Sequence, residues 1–140
     1  VTKQRYQLQK RGNLLLLNAA IGKSDGTAHK IRLLLDTGSS YTVLNSHLLE
    51  SLGYDLQVSQ QVSVFAANGK VDAPIIVASW LNLLGQRLKS YSIVAHALPT
   101  GVFVDGLLGI DLLTHLEAVI DIPKAEIMTE SEPRNQKSQG

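Results

Sequence analysis

With 140 residues, 44% of them hydrophobic, and a formal net charge of +1, the chain is large enough for one compact domain and too short for two. Balanced charge supplies no field for nucleic acid or an anionic membrane surface, so neither is expected as a partner. The absence of cysteine excludes a disulfide scaffold, a cysteine nucleophile and a thiolate metal site.

No apolar run approaches the roughly 20 residues of a membrane-spanning helix, and nothing after Val1 has the pattern of a signal peptide. The compartment is therefore unassigned, with a soluble, cytoplasmic protein expected unless a signal or anchor has been removed. Histidines at 29, 47, 96 and 115 lack the His-x-x-x-His spacing of a metal pair on one helix, so no metal is expected.

Residues 1–12 read as an N-terminal arm. Lys3, Arg5, Lys10 and Arg11 make it a mildly basic, solvated edge, and Tyr6 and Leu8 alternate with polar neighbours as strand residues do. Residues 13–128 read as the folded domain. Leu14 to Ile21 forms a strand pattern, Gly22-Lys23-Ser24-Asp25-Gly26 a turn, and Ala28 to Leu35 the returning strand.

That strand ends in Leu33-Leu34-Leu35-Asp36-Thr37-Gly38-Ser39-Ser40. Leucines on both sides of the pleat imply burial, so the strand delivers Asp36 to the floor of a site. Gly38 is expected to supply backbone angles closed to other residues, letting amides and hydroxyls from Gly38, Ser39 and Ser40 converge on the carboxylate. Apolar residues resume at Thr42-Val43-Leu44, which pins the loop between two buried segments. Asn45 or Ser46 then caps a short helix that runs through Leu52 and stops at Gly53.

Val62, Val64 and Phe65 lead to Ala66-Ala67-Asn68-Gly69, and Val71 to Val77 leads away; Asn-Gly between two such runs predicts a hairpin. Trp80 to Leu84, a Gly85-Gln86 turn and Arg87 to Ala95 predict another, with Trp80 in core or interface packing. Leu107, Leu108 and Gly109 form an apolar strand closed by glycine, and Asp111 stands at the start of a helical turn. Ala118 to Ile122 and Lys124 to Met128 read as closing strands around Pro123, and residues 129–140 as a polar, disordered tail.

Asp36-Thr37-Gly38-Ser39, preceded by leucines and followed by Thr42-Val43-Leu44, resembles the active-site loop of the retropepsin-like aspartic proteases, in their cellular and bacterial branch. Leu107-Leu108-Gly109 resembles the strand that passes behind that loop. The resemblance implies a mostly β, single-domain, closed fold with one or two short helices and a flap hairpin at Ala66, Ala67, Asn68 and Gly69. It makes Asp36 the catalytic acid of an aspartic endopeptidase that needs no cofactor and acts on an extended peptide or protein. Thr37 would bond across a two-fold axis, the Gly38 amide would support the carboxylate, Ser39 would bond its outer oxygen, and Asp111 would be structural.

Only one Asp-Thr-Gly triplet is present, so the second carboxylate has to come from a second copy, in a homodimer. Viral relatives commonly carry an acid where Ser40 stands and an arginine where Ile110 stands; both are missing here, which removes an ion pair and points to a weak or conditional dimer. The alternative is a catalytically inactive module of the same fold that binds peptides by β-augmentation. A phosphate-binding Asp-x-Gly turn, as in actin-like ATPases, needs a longer chain and further glycine-rich loops that the sequence lacks.

Overall fold

The computed structural model describes residues 2–57, 60–66, 69–99 and 101–131. β1 (Thr2–Gln7) and the short β2 (Gln9–Arg11) precede the first hairpin, β3 (Leu14–Gly22) and β4 (Ala28–Leu35). The hairpin is in register from Leu16↔Leu34 to Gly22↔Ala28. In its turn the amide and hydroxyl of Thr27 both donate to Asp25, and those bonds hold that carboxyl below its ordinary pKa. β5 (Val43–Asn45) runs directly into α1 (Ser46–Ser51), whose first turn is capped by the Asn45 side chain accepting from the His47 amide.

β6 (Gln60–Ala66), β7 (Gly69–Leu83) and β8 (Gln86–His96) form a meander. Where the sequence pattern divides at Ala78-Ser79, β7 is a single 15-residue strand. Its length follows from serving three partners in turn: β6 from 69 to 75, β8 from 75 to 83, and β3 at Leu81 and Asn82. Leu83 pairs with Gln86, so the turn is Leu84-Gly85 and not Gly85-Gln86. Both residues are left-handed, at φ 48° and 73°, as a two-residue hairpin turn demands. In the other hairpin Ala66 pairs with Gly69, which places Gly69 in β7. Ala67 and Asn68, expected at the flap tip, lie outside the described residues.

β9 (Gly106–Leu108) runs parallel to β4 and antiparallel to β5, and β5 is parallel to β8. With β3 pairing β7, the strands β3, β4, β9, β5, β8 and β7 form a closed circuit. Its interior is filled by Ile21, Ile31, Leu33, Leu81, Ile93 and Leu108, each worth about 1.5–3 kcal/mol relative to exposure. Leu49 of α1 and Leu112 of α2 (Ile110–His115) pack into the same core.

β10 (Val119–Asp121) and β11 (Glu126–Ser131) complete the chain, and β1, β11 and β10 form a separate three-stranded sheet with β11 in the middle. The N-terminal arm and the two closing strands thus pair with one another inside one chain. β11 also extends into the stretch read as a tail from 129 onward, because Thr129, Glu130 and Ser131 pair with Gln4, Lys3 and Thr2. Residues 132–140 lie outside the described residues. Among those described, no helix is long and apolar enough to cross a membrane.

Candidate active site

β4 carries the chain from the core to Asp36, and the first tie beyond the strand is the Asp36 amide donating to the Leu108 carbonyl at 3.0 Å. The parallel β4–β9 pairing therefore runs on into the loop and fixes where the acid stands. The loop then turns tightly: the Ser39 amide donates to the Asp36 carbonyl at 3.1 Å, and the Gly38 amide donates to Asp36 Oδ1 at 3.0 Å. One carboxylate oxygen is so held by the backbone, in the role expected of Gly38.

The reason for glycine differs from the sequence expectation. Gly38 is not among the residues with positive φ; its value is room, since a Cβ there would stand 3.3 Å from Asp36 Oδ1. Ser39 differs as well. Its hydroxyl donates to the Tyr41 carbonyl at 2.7 Å and not to the carboxylate, bracing the far side of the loop. The Thr37 hydroxyl is exposed and has no partner among the described residues.

Leu107, Leu108 and Gly109 pass directly behind this loop. The Ile110 amide donates to the Ser39 carbonyl at 2.8 Å, and a Cβ on Gly109 would collide with the Tyr41 carbonyl group and come within 2.9 Å of Ser39 O. Glycine at 109 is what permits two backbones to cross there. Asp111, in the first turn of α2, accepts from the Leu112 amide at 2.6 Å and from the Thr42 hydroxyl at 2.8 Å.

Thr42 is the residue that sequence reasoning missed. Only 1% exposed, its hydroxyl donates to Asp111 and accepts from the Gly109 amide at 3.1 Å, joining the loop to the second motif. A threonine between apolar neighbours at the head of a buried run was the available signal, because a buried hydroxyl has to find partners. Asp105 was missed too: its carboxylate accepts from the Arg32 amide at 2.8 Å, which extends the β4–β9 pairing upstream. Tyr91 lies beneath α2, its ring centroid 6.0 Å from that of His115. Burial, and secondarily the charge of Asp111, pushes the Tyr91 phenol up to about 12.

Beside Asp36 opens a cavity of ≈ 510 Å³ lined by Leu14, Leu34, Thr37, Ile120 and Ile122 among others. Its apolar walls suit hydrophobic side chains, with the acid at the edge. On the hairpin expected to be a flap, Phe65 is 82% exposed, with the Lys70 ammonium 5.6 Å from its ring centre. Trp80, expected in packing, is a partly exposed brace: its indole N–H donates to the Gly26 carbonyl at 3.0 Å, and the Arg87 guanidinium lies 4.2 Å over the ring. Among the described residues no cluster of His, Cys, Asp or Glu has the makings of a metal site.

The sequence profile of the family described as aspartyl protease matches residues 20–112, which contain Asp36 and most of the second motif. No curated protein matches the sequence. Among solved structures, the chain is similar to a retropepsin-like aspartic protease from Rickettsia conorii, at 21% identity over 91% of each chain and a TM-score of 0.64. It is also similar to the retroviral protease-like domain of Ddi1 from Leishmania major, at 15% identity over 87% of this chain and 92% of that one, with a TM-score of 0.58. A third similar structure is the EIAV protease complexed with the inhibitor HBY-793, at 23% identity over 83% of this chain and 97% of the other, with a TM-score of 0.56. At these identities the likeness concerns the fold, which is retropepsin-like.

Proposed function

The chain belongs to the aspartyl protease family, and from that premise we propose that it hydrolyses peptide bonds as a two-fold homodimer in which a pair of Asp36 carboxylates activates water. One observation carries the reading. Asp36 is held through Oδ1 by the Gly38 amide at the edge of an apolar cavity, and the adjacent Thr37 hydroxyl has no partner inside the chain among the described residues. Such a loop is half of a site.

Two such carboxylates at a two-fold axis cannot both ionise freely, so they titrate as a pair and share one proton. The ionised member takes a proton from the water held between them as its oxygen adds to the scissile carbonyl carbon. The protonated member donates to the carbonyl oxygen, giving a tetrahedral diol. Return of a proton from the diol to a carboxylate, and of one to the amide nitrogen, breaks the C–N bond and restores the pair. Thr37 would bond the partner's loop, and the hairpin of β6 and β7 would close over the peptide as a flap.

The chain ends constrain how the copies meet. β11 has β1 on one edge and β10 on the other, so a sheet across the axis adds the partner at a free edge. The edge of β10 is the one beside the loop: Ile120 and Ile122 line the Asp36 cavity, and Val119 and Ile122 are 55% and 65% exposed.

Sedimentation across protein concentration, with and without a peptide-like inhibitor, tests the pairing, and peptide cleavage by Asp36→Asn tests the chemistry. A dimer that tightens with inhibitor, and loss of cleavage in the variant, are expected. Cleavage that survives Asp36→Asn removes the paired-carboxylate mechanism. A second reading, a peptide-binding module without activity, is favoured by Ser40 and the 42% exposed Ile110, which leave the loop without an ion-pair support. It predicts inhibitor binding by a chain that stays monomeric.

A further inference from the structure

The largest cleft described, ≈ 900 Å³, lies away from Asp36 on the outer face of β3 and β4. Its floor follows from strand register. Lys30 is opposite Ala20, Ala20 is opposite Asn82, and Asn82 is opposite Arg87, so one side chain from each of β4, β3, β7 and β8 stands abreast on the same face. The small Ala20 leaves a trough between two cations whose backbones stand about 14 Å apart, three strand spacings. Arg32, opposite Asn18 in a parallel row, adds a third positive charge.

The cations are unspent. Among the described residues, Lys30, Arg32 and Arg87 have no acidic partner within ion-pair distance, the recorded ion pair being Arg5 with Glu126. The acid in the cleft, Asp105, has its Oδ2 occupied by the Arg32 amide. Arg87 is set in place before any ligand arrives: its Nε donates to Asn82 Oδ1 at 2.9 Å and its guanidinium lies on Trp80, which leaves the two terminal nitrogens free for a carboxylate. Phe103 walls one side, under the Arg11 guanidinium at 4.5 Å.

We propose that this cleft is a docking site for an acidic peptide segment. The cations are too far apart to converge on one small anion, whereas an extended peptide, rising about 3.3 Å per residue, spans the trough with two acids four or five residues apart. Asn18 and the side-chain NH2 of Asn82, whose Oδ1 is taken by Arg87, supply amide groups for its backbone. With a chain charge of only +1, three cations against the single acid Asp105 in one trough form a local feature and not a general polyanion surface. Arg32, on β4, precedes Asp36 by four residues, about 13 Å of extended chain. Use of the cleft to capture protein substrates rests on the protease reading; the binding itself does not.

The test is fluorescence anisotropy of the full chain carrying Asp36→Asn, so that cleavage cannot intervene, with a labelled Glu-Ala-Ser-Ala-Glu peptide at low ionic strength. The glutamine counterpart is expected to bind about tenfold more weakly, and Lys30→Met and Arg87→Met each to weaken the acidic peptide about threefold, the scale of exposed ion pairs. Arg87→Lys falls between, and Lys124→Met, in the turn between β10 and β11, changes nothing. Equal affinity for the glutamine peptide, or indifference to both Lys30→Met and Arg87→Met, overturns the proposal. So does a single-stranded oligonucleotide that binds more tightly than the peptide and responds to the same two substitutions.

Discussion

Replacing Thr42 by valine keeps the shape of a buried side chain and deletes the hydroxyl that joins the Asp36 loop to α2. The hydroxyl makes two bonds, 2.8 Å to Asp111 Oδ1 and 3.1 Å from the Gly109 amide, at a residue 1% exposed. A bond to a charged acceptor contributes about 1.5–3 kcal/mol, and a buried amide stranded without a partner costs about 1–3 kcal/mol. Asp111 keeps the Leu112 amide, so the net loss is taken as about 3 kcal/mol, a large share of the 5–15 kcal/mol typical of a domain. In urea, with a slope near 2 kcal/mol/M, the midpoint falls by about 1.5 M at constant slope, measured at one protein concentration so that association does not contribute. Thr42→Ser, which keeps both bonds and loses one methyl, costs only about 1 kcal/mol. A cycle with Asp111→Ala shows a coupling above about 1 kcal/mol. If Thr42→Val shifts the midpoint by less than about 0.5 M, or the cycle is additive, the tether does not hold the loop.

Gly109→Ala drives a methyl into the Tyr41 carbonyl group, and is expected to cost more than about 3 kcal/mol, read as loss of soluble protein or a sharply lower thermal midpoint. The ultraviolet difference titration of the wild type against Tyr91→Phe isolates one phenol with a midpoint near 12; a midpoint at the ordinary 10.0 refutes its burial. Because the folded state holds that proton more tightly, the associated stability is complete below pH 10.0 and declines as the pH climbs toward 12, and the Phe variant lacks the decline. Phe65→Ala, at an 82% exposed position, leaves the unfolding midpoint within about 0.5 kcal/mol of the wild type yet raises KM for peptide if the hairpin closes over substrate; unchanged KM removes Phe65 from that role.

What could be read in advance was local. The first hairpin is set by turn residues between two apolar runs, α1 by Asn45 one residue before it begins, and the Asp36 loop by leucines that end in an acid. What escaped was set by partners distant in sequence. The Thr42–Asp111 bond joins residues 69 apart, and the Asp105–Arg32 bond residues 73 apart. No window of neighbouring residues contains either. Trp80 shows the limit of composition: a lone tryptophan suggests packing, but its position opposite Lys89 and next to Arg87 on the adjacent strand makes it a platform for a cation. The division of β7 fails for a related reason: at Ser79 the amide leaves the β7–β8 pairing to donate to the Tyr54 hydroxyl, a partner 25 residues away, and the pairing resumes in the same register at Trp80.

Three features of the Asp36 face make sense together. The exposed Thr37 hydroxyl beside the candidate catalytic acid has no protein partner among the described residues and is free to take one from another chain. Leu14, Ile110 and Ile122 are 40–65% exposed on a chain that buries most of its other large aliphatics. The edge of β10 is open next to them. In a monomer the last two are separate liabilities, apolar surface in water and a strand edge inviting aggregation. In the proposed homodimer, a rotation that places one Asp36 loop against its copy would bring Thr37 toward Thr37, cover aliphatics with aliphatics and offer each β10 edge its own equivalent. Because a two-fold contact is self-complementary, one such operation would cover the aliphatics and the open edge together and give each Thr37 a protein partner.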